Sequence, residues 1–306
     1  MDERERLAAE IGDDEVVDYF YLRFGAEQTL DRLESLAVEL TDSQDAVPFN
    51  AQVKGYFGAI DEAGHPWILK PATDPKDILY HRICTLSYLL DHSVGTLSAP
   101  TTVFRIGGKF WRATKVVRHA MQISSYDYLQ QPFIDWLRAD LVNRWVSFDE
   151  DRNPNNYLVI HNAAGKPFIA AIDFDKADFM ATQMKITGNP DKFGWHRTEK
   201  TRFLTLLRPE NFEGLSIETF EARLSAFMAI PEESVARITR RLVEGWSDDP
   251  SGLSATLVAN FVARRNYVNT YFRSMFKSAS ETKNACNDND YSMLGASFVA
   301  MYNGKK

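Results

Sequence analysis

The sequence has 306 residues, of which 44% are hydrophobic and 25% charged, a composition typical of a soluble globular protein with a large core. No apolar run approaches the roughly 18 residues of a membrane helix, and the opening MDERERLAAE lacks the parts of a secretory signal, so we expect a cytoplasmic protein without stable membrane insertion. The net charge is −7, and residues 1–45 alone carry 14 acidic and 4 basic residues, so nucleic acid is not an expected partner.

The first 45 residues predict an acidic helical extension. Apolar residues recur on one face over 13–24 and 26–41, with acidic residues elsewhere, and Gly25 separates the two predicted helices. We expect this extension, residues 1–45, to cap the small domain that follows it, with a regulatory or partner-binding role as the alternative.

Residues 46–120 predict a small antiparallel sheet with one helix. AQVKGYFGAIDEAGHPWILKPA indicates a hairpin around the turn DEAGH, whose last strand ends at Lys70. TDPKDILYHRICTLSYLLDHSVG has a Thr or Asp cap, Pro75 in its first turn and a terminal Gly95, which together predict a helix. TTVFRIG and KFWRATKVV then predict two more strands joined by a Gly-Gly turn.

Residues 121–277 predict a mostly helical domain. A helix is predicted from Asp127 to Ser147, and the strands YLVI and FIAAID flank the turn HNAAGK. Further helices are predicted to open at Pro231 and at about Gly252. The remaining residues, 278–306, form a polar and loosely ordered tail in this prediction.

One acidic stretch, SFDEDRNPNNYLVIHNAAGKPFIAAIDFDKADF, stands out in the second half of the chain. Within it Asp151, Asn156 and Asp173 follow one another at offsets of 5 and 17. Carboxylate and amide oxygens are hard ligands, so this set indicates a divalent metal. Asn155 is the alternative to Asn156 if the register differs by one residue.

The order of these elements matches that of a two-lobed phosphoryl-transfer enzyme: a sheet ending in a lysine, a helix, more strands and a helical half with an acidic loop. Such chemistry needs a cation at the nucleotide phosphates, magnesium ligands and a carboxylate near the attacking hydroxyl. Asp151 precedes Asn156 by the interval of the kinase loop H-R-D-x-x-x-x-N, and Asp173 follows a strand, as the D-F-G metal ligand does.

DRNPNNYLV followed by IDFD resembles the catalytic and D-F-G loops of the phosphatidylinositol 3- and 4-kinase-like group. LLRPENF, IPEESVARITRRLVEGW and LVANFVARRNYVNTYF resemble the tail helices of HipA-like bacterial kinases, which belong to the same superfamily. The two resemblances cover about residues 47–276. They imply an α+β, bilobal, protein-kinase-like fold with an antiparallel-sheet N-lobe carrying one helix and a mostly helical C-lobe.

The resemblance also implies roles for individual residues. Lys70 would hold the nucleotide phosphates, and Asp151 would orient or deprotonate the acceptor. Asn156 and Asp173 would bind magnesium. Asp175, which replaces the D-F-G glycine, would either add a metal ligand or stiffen the start of the activation segment.

The sequence also departs from the kinase pattern at other positions. The phosphate loop G-x-G-x-x-G is missing, and only Gly55 and Gly58 of VKGYFGA offer close backbone approach to phosphate. Asp77 stands where HipA-like kinases have a glutamate paired with the lysine, and it is one methylene shorter. The usual histidine of the catalytic loop is replaced by Asn153. Val117, next to the connector between the lobes, is the remaining residue expected at the nucleotide.

These features predict an enzyme that uses ATP and Mg²⁺, a Ser/Thr protein kinase with a protein substrate and a possible regulatory partner. A lipid kinase is the alternative acceptor class, since the preference for protein depends on the lack of a basic membrane-binding patch. Three rivals remain: a nucleotide-binding pseudokinase, an AMP-transferring enzyme on the same fold, and a metal-dependent phosphohydrolase that needs no Lys70.

Overall fold

The computed structural model describes residues 2–41, 56–128, 130–149, 154–181 and 216–275. The predicted site residues Gly55 and Asp151, and the predicted tail from residue 278, lie outside these ranges. The chain forms two compact units, and each draws on separate stretches of sequence. Unit 1 comprises Met1–Met121, Leu158–Asp175 and Glu233–Ala255, and unit 2 comprises Gln122–Tyr157, Lys176–Glu232 and Thr256–Lys306.

Unit 1 opens with three short helices: α1 (Glu3–Ile11), α2 (Asp14–Tyr19) and α3 (Ala26–Ser35). The first is fixed by a capping box in which Asp2 and Glu5 satisfy each other's backbone N–H groups. The side chain of Asp13 caps the second by accepting from the backbone N–H groups of Glu15 and Val16. Acidic residues also occupy the first turns of both helices, where the positive ends of the helix dipoles favour them.

A five-stranded antiparallel sheet follows, with strand order β1-β2-β3-β5-β4. Its strands are β1 (Val38–Thr41), β2 (Phe57–Asp61), β3 (Pro66–Pro71), β4 (Thr101–Ile106) and β5 (Lys109–Lys115). A single helix, α4 (Pro75–Ser93), connects β3 to β4; Asp74 caps it and Pro75 occupies its first turn. Trp67, Leu69 and Ala113 are fully buried and form part of the core on one face of the sheet.

Strand β1 corrects the prediction of a helix over residues 26–41. The helix ends at Ser35, and Val38–Thr41 pair with β2 in antiparallel register. The leucine spacing extends into this segment, but pairing with a strand distant in sequence decides its conformation, and local periodicity does not report such pairing.

A smaller sheet of order β6-β7-β8 contains β6 (Met121–Gln122), β7 (Tyr157–His161) and β8 (Pro167–Ala171). Its last strand is tied to the chain before β4: Ala99 N–H donates to the Ala171 carbonyl at 2.9 Å, and Ala171 N–H donates to the Leu97 carbonyl at 2.8 Å. These two hydrogen bonds fix the position at which the chain leaves β8. Helix α7 (Glu232–Val243) also lies almost wholly in unit 1.

The described residues of unit 2 are mostly helical. The unit contains α5 (Phe133–Ser147), α6 (Glu218–Ala229) and most of α8 (Pro250–Met275), and Trp145, Phe220 and Phe272 pack together in its core. Helix α5 begins at Phe133, later than the predicted Asp127, because Pro132 precedes it. No helix among the described residues has the length and apolar character to cross a membrane.

The predicted α+β class is confirmed. An antiparallel sheet with one connecting helix occupies the N-terminal part, the C-terminal part is helical, and extra helices precede the sheet.

Candidate functional site

Two cations face each other on the central strands of the large sheet. Lys70 of β3 is the direct cross-strand partner of Arg112 of β5. Directly opposite residues project from the same face of a sheet, and like charges in such a pair repel each other. The pair therefore requires negative charge nearby.

That charge comes from the acidic turn, residues 173–175, which follows β8. Lys70 Nζ lies 3.1 Å from Asp175 Oδ2, and Arg112 also forms an ion pair with Asp175. Arg112 Nη2 lies 4.0 Å from Asp173 Oδ1. Two carboxylates thus balance two cations, and all four residues belong to unit 1.

The backbone of the acidic turn explains why aspartate suits its first position. Asp173 has a φ of 59°, in the left-handed region that Asp and Asn tolerate better than other non-glycine residues. Its Oδ1 accepts a hydrogen bond from Asp175 N–H at 3.2 Å, which closes the turn locally. Phe174 between them is buried. The turn is therefore held by its own side chains as well as by the sheet.

Cys84 of α4 joins the cluster from the helix. Its thiol donates to the Phe174 carbonyl at 3.4 Å, and its sulfur accepts from Arg112 Nη1 at 3.5 Å. Burial lowers the pKa of Arg112, but Cys84 and Asp173 offset this and leave that pKa raised. Arg112 is therefore a permanent, buried positive charge.

His81 lies one turn before Cys84 on α4 and is 4% exposed. Burial, followed by the charges of Arg112 and Lys70, lowers the pKa of His81 to about 4. The imidazole is therefore neutral at pH 7. Within the described residues its Nδ1 has no hydrogen-bond partner.

Asp77 does not form the predicted ion pair with Lys70 in this structure. Its carboxylate accepts from both the backbone N–H, at 3.0 Å, and the hydroxyl of Thr73, and these bonds are the main reason why its pKa is lowered. Lys70 binds Asp175 instead. The short aspartate side chain is thus engaged at the N-terminus of α4, where the helix dipole also favours it.

The face of the sheet that carries Lys70 continues toward the residues expected at the nucleotide. Gly58 of β2 is opposite Ile68 of β3, which lies two residues before Lys70 and is therefore on the same face. Ile68 is only half-buried. Val117, also half-buried, follows Val116, whose N–H donates to the Pro66 carbonyl at 2.9 Å. Next to Lys70, this face therefore carries the apolar side chain of Ile68 and, at Gly58, a position without a side chain.

Asn156 belongs to unit 2, where it is buried in a short 3-10 turn that leads into β7. Asp149 is the last described residue before this turn. Its carboxylate lies 3.4 Å from Arg144, and Arg144 also pairs with Asp140 at 3.3 Å. Asp151 lies between these two described segments and outside both.

The oxygen donors of the acidic turn fit Mg²⁺ in part. Asp173 suits a ligand, because it is a hard carboxylate whose side chain is 40% exposed. Asp175 is already bound by Lys70 and Arg112. Among the described residues, no group of three or more His, Cys, Asp or Glu side chains is arranged to hold a metal. The magnesium site of Asn156, Asp173 and Asp175 stays a prediction.

The sequence did not indicate Arg112, Cys84 or His81. In FWRATK, Arg112 alternates with Trp111 and Ala113, and this pattern is that of an exposed residue on a half-buried strand. The helix that carries Cys84 and His81 is apolar on several faces, so neither residue is distinguished by periodicity. A buried arginine becomes recognisable only when its carboxylate partners, about 60 residues away in the sequence, are placed next to it.

No known protein family model matches the sequence, and no curated protein is detectably similar to it. Among solved structures the chain is similar to a Helicobacter pylori proinflammatory kinase, CtkA, with a TM-score of 0.45 and 10% sequence identity. The similarity covers 72% of this chain and 95% of that chain.

Proposed function

We propose that this protein is an ATP- and Mg²⁺-dependent phosphotransferase that transfers the γ-phosphoryl group to a serine or threonine hydroxyl of a protein. The observation that carries the proposal is the ion pair between Lys70, on the third strand of the large sheet, and the acidic turn after β8. Phosphoryl transfer in protein kinases needs a β3 lysine at the phosphates and a metal-binding aspartate after a strand.

Lys70 is the residue suited to binding phosphate. Its side chain is 37% exposed and bound to one carboxylate, that of Asp175. A partly exposed lysine ion pair contributes only about 0–1 kcal/mol, so a triphosphate replaces the carboxylate at small cost. Lys70 would then stabilise the negative charge that develops on the phosphoryl oxygens. Arg112, the cross-strand neighbour of Lys70, adds a second positive charge.

Asp173 and Asn156 would hold magnesium, which would supply positive charge to neutralise the phosphates. Asp151 would accept the proton of the acceptor hydroxyl. The hydroxyl oxygen forms its bond to the γ-phosphorus while the bond from that phosphorus to the bridging oxygen of ADP breaks. The acidic character of the chain, with a net charge of −7, favours a protein over an anionic lipid surface as the source of the hydroxyl.

The decisive experiment is intact-protein mass spectrometry after incubation with Mg²⁺ and ATP, alone and with a cell lysate. Asp173→Asn is the test variant, because asparagine keeps the left-handed backbone but loses the charge. Asp248→Asn, an exposed aspartate between α7 and α8, is the matched control. A gain of one phosphoryl mass on this protein or a lysate protein, lost in Asp173→Asn and kept in Asp248→Asn, supports the proposal.

Other outcomes contradict the proposal in distinct ways. A gain of one AMP mass indicates adenylyl transfer on the same fold. ATP binding without modification of any protein indicates a pseudokinase, unless phosphorylated lipid forms in a parallel assay with phosphoinositide vesicles. Phosphate release from simple esters without ATP indicates a phosphohydrolase.

A further inference from the structure

We propose that Arg112 is a positioning residue that fixes the acidic turn beneath Lys70 and so sets the orientation of Asp173. The inference deepens the proposed function and rests on it. Arg112 is assigned no contact with the nucleotide; it acts through the two carboxylates of the turn.

The contacts of Arg112 reach three separate parts of unit 1. The guanidinium extends from β5, donates to the Cys84 sulfur of α4, and pairs with Asp175 and, at 4.0 Å, with Asp173. Only 11% of its side chain is exposed. Burial of a guanidinium is unfavourable unless its charge is balanced and its N–H groups are bonded, so this arginine holds its partners firmly.

Lys70 and Arg112 differ in exposure and in partners, and this difference gives them different roles. The Lys70 side chain is 37% exposed and that of Arg112 is 11% exposed. Lysine is a flexible point charge, whereas the planar guanidinium presents several donors in a fixed geometry. Lys70 is therefore suited to exchange a carboxylate for a phosphate, and Arg112 is suited to keep its carboxylates throughout.

Asp175 forms ion pairs with both Lys70 and Arg112. When Lys70 moves to a phosphate, Asp175 still has Arg112 as a counter-ion. The turn then keeps its place, and Asp173 remains directed by the hydrogen bond from Asp175 N–H. Without Arg112, the departure of Lys70 would remove both of the cations that pair with Asp175, and the turn would loosen.

Cys84 supplies a probe of the turn that does not depend on catalysis. Its thiol is buried and donates to the Phe174 carbonyl in the middle of the turn. Opening of the turn therefore exposes it. In a Cys286→Ser background Cys84 is the single cysteine, so its rate of reaction with a thiol reagent such as DTNB reports this site. Loss of the Arg112 contact with the Cys84 sulfur changes that rate with or without nucleotide, so the further rise when the analogue is bound is the part that reports opening of the turn.

The experiment compares Arg112→Met, Arg112→Lys and the control Arg105→Met in that background. Arg105 is an exposed arginine of the same sheet that stacks on Phe110. Each variant is labelled with and without Mg²⁺ and a non-hydrolysable ATP analogue, and phosphoryl transfer is titrated with Mg²⁺. We expect Arg112→Met to raise the labelling rate at least about tenfold, with the larger rise when the analogue occupies Lys70.

The same variant is expected to raise the Mg²⁺ concentration for half-maximal transfer and to lower kcat, with KM for ATP changed by less than about threefold. Arg112→Lys keeps the charge and is expected to lie between wild type and Arg112→Met in both readouts, and it carries the test if Arg112→Met does not fold. Arg105→Met is expected to match wild type.

The proposal is overturned if the Arg112 variants fold, label Cys84 at the wild-type rate and keep the wild-type Mg²⁺ dependence. It is also overturned if they change KM for ATP and leave the other quantities alone, since Arg112 would then bind nucleotide directly. Failure of the proposed function is a separate outcome: wild type then transfers no phosphoryl group, while the labelling comparison still decides whether Arg112 fixes the turn.

Discussion

Lys70 Nζ and Asp175 Oδ2 are 3.1 Å apart, so the lysine assigned to the nucleotide phosphates is bound to a carboxylate of its own unit. A nucleotide must displace that carboxylate. The two groups are partly exposed, 37% and 23% by side chain, which limits the strength of the pair. In the proposed function, the ion pair with Asp175 holds Lys70 in place until the nucleotide binds.

The first prediction concerns Asp175→Asn, which removes the competing negative charge. We expect the variant to bind a non-hydrolysable ATP analogue with Mg²⁺ about three- to tenfold more tightly, which corresponds to about 1 kcal/mol. Isothermal titration calorimetry measures this, with Asp248→Asn as the control. Weaker binding would instead indicate that Asp175 binds the metal or stiffens the acidic turn, the two roles that the sequence suggested.

The second prediction concerns Lys70→Met. Removal of the charge opposite the phosphates is expected to lower ATP-dependent transfer by about 10²–10³-fold. The free energy of unfolding should change by less than about 1 kcal/mol, because Arg112 remains as the partner of Asp175. Transfer assays and urea unfolding of the same preparation test both parts. Full transfer by Lys70→Met would show that Lys70 does not act on the phosphates, and phosphate release from simple esters by this variant without ATP would favour the metal-dependent hydrolase.

The sequence predicted much of the fold because its turns and caps carry local signals. The hairpin that ends at Lys70 and helix α4 were found from turn residues and from the Asp74 cap with Pro75, and the structure confirms both. Strand β1 was missed because its conformation depends on pairing with β2, which follows it only after a long interval. Local patterns report turns and caps well and long-range pairing poorly.

The candidate site was likewise predicted where its signals are local and missed where they depend on distant residues. A strand-end lysine and an aspartate after a strand were recognised as sequence motifs, and the structure brings Lys70 and the acidic turn together. Asp77 was expected to pair with Lys70, but in the structure it accepts from Thr73, four residues away, and Lys70 pairs with Asp175. Arg112 was missed because a buried charge is identified by its partners, which only the folded chain assembles.

The third prediction is a loss of stability in mild acid. His81 and His92 are buried in unit 1, and burial, the first cause for each, lowers their pKa values to about 4. Between pH 6.5 and 4 the unfolded chain therefore takes up protons that the folded chain refuses, so stability falls as the pH falls. Above pH 6.5 the effect is absent.

The expected loss between pH 7 and pH 5 is about 2 kcal/mol for each histidine. Urea unfolding at several pH values measures it in wild type, His81→Gln and His92→Gln. Each variant should remove about half of the pH dependence, whereas His161→Gln, at an exposed position, should keep all of it. An unchanged slope in both buried variants would show that carboxylates cause the loss.

The last prediction concerns Arg264 of α8, which holds two segments of unit 2 in place. Its guanidinium lies 3.7 Å from the ring centre of Phe148, at the end of α5, and 5.1 Å from that of Phe179. It also donates to the Ala181 carbonyl, while Asn260 on the same helix donates to the Phe179 carbonyl at 2.7 Å. The arginine therefore connects the C-terminal end of α5 to the segment after the acidic turn.

Arg264→Met keeps most of the side-chain volume but loses the charge and the donor to Ala181. We expect a loss of about 1–3 kcal/mol in the free energy of unfolding, since the partly buried Ala181 carbonyl loses its donor and the contact with Phe148 weakens. Part of this loss is offset because burial already disfavours the charge and lowers the pKa of Arg264 to about 9.

The matched control is Arg273→Met on the same helix, where an exposed ion pair with Glu221 should contribute less than about 1 kcal/mol. Urea unfolding that ranks the two variants equally would show that Arg264 does not anchor these segments.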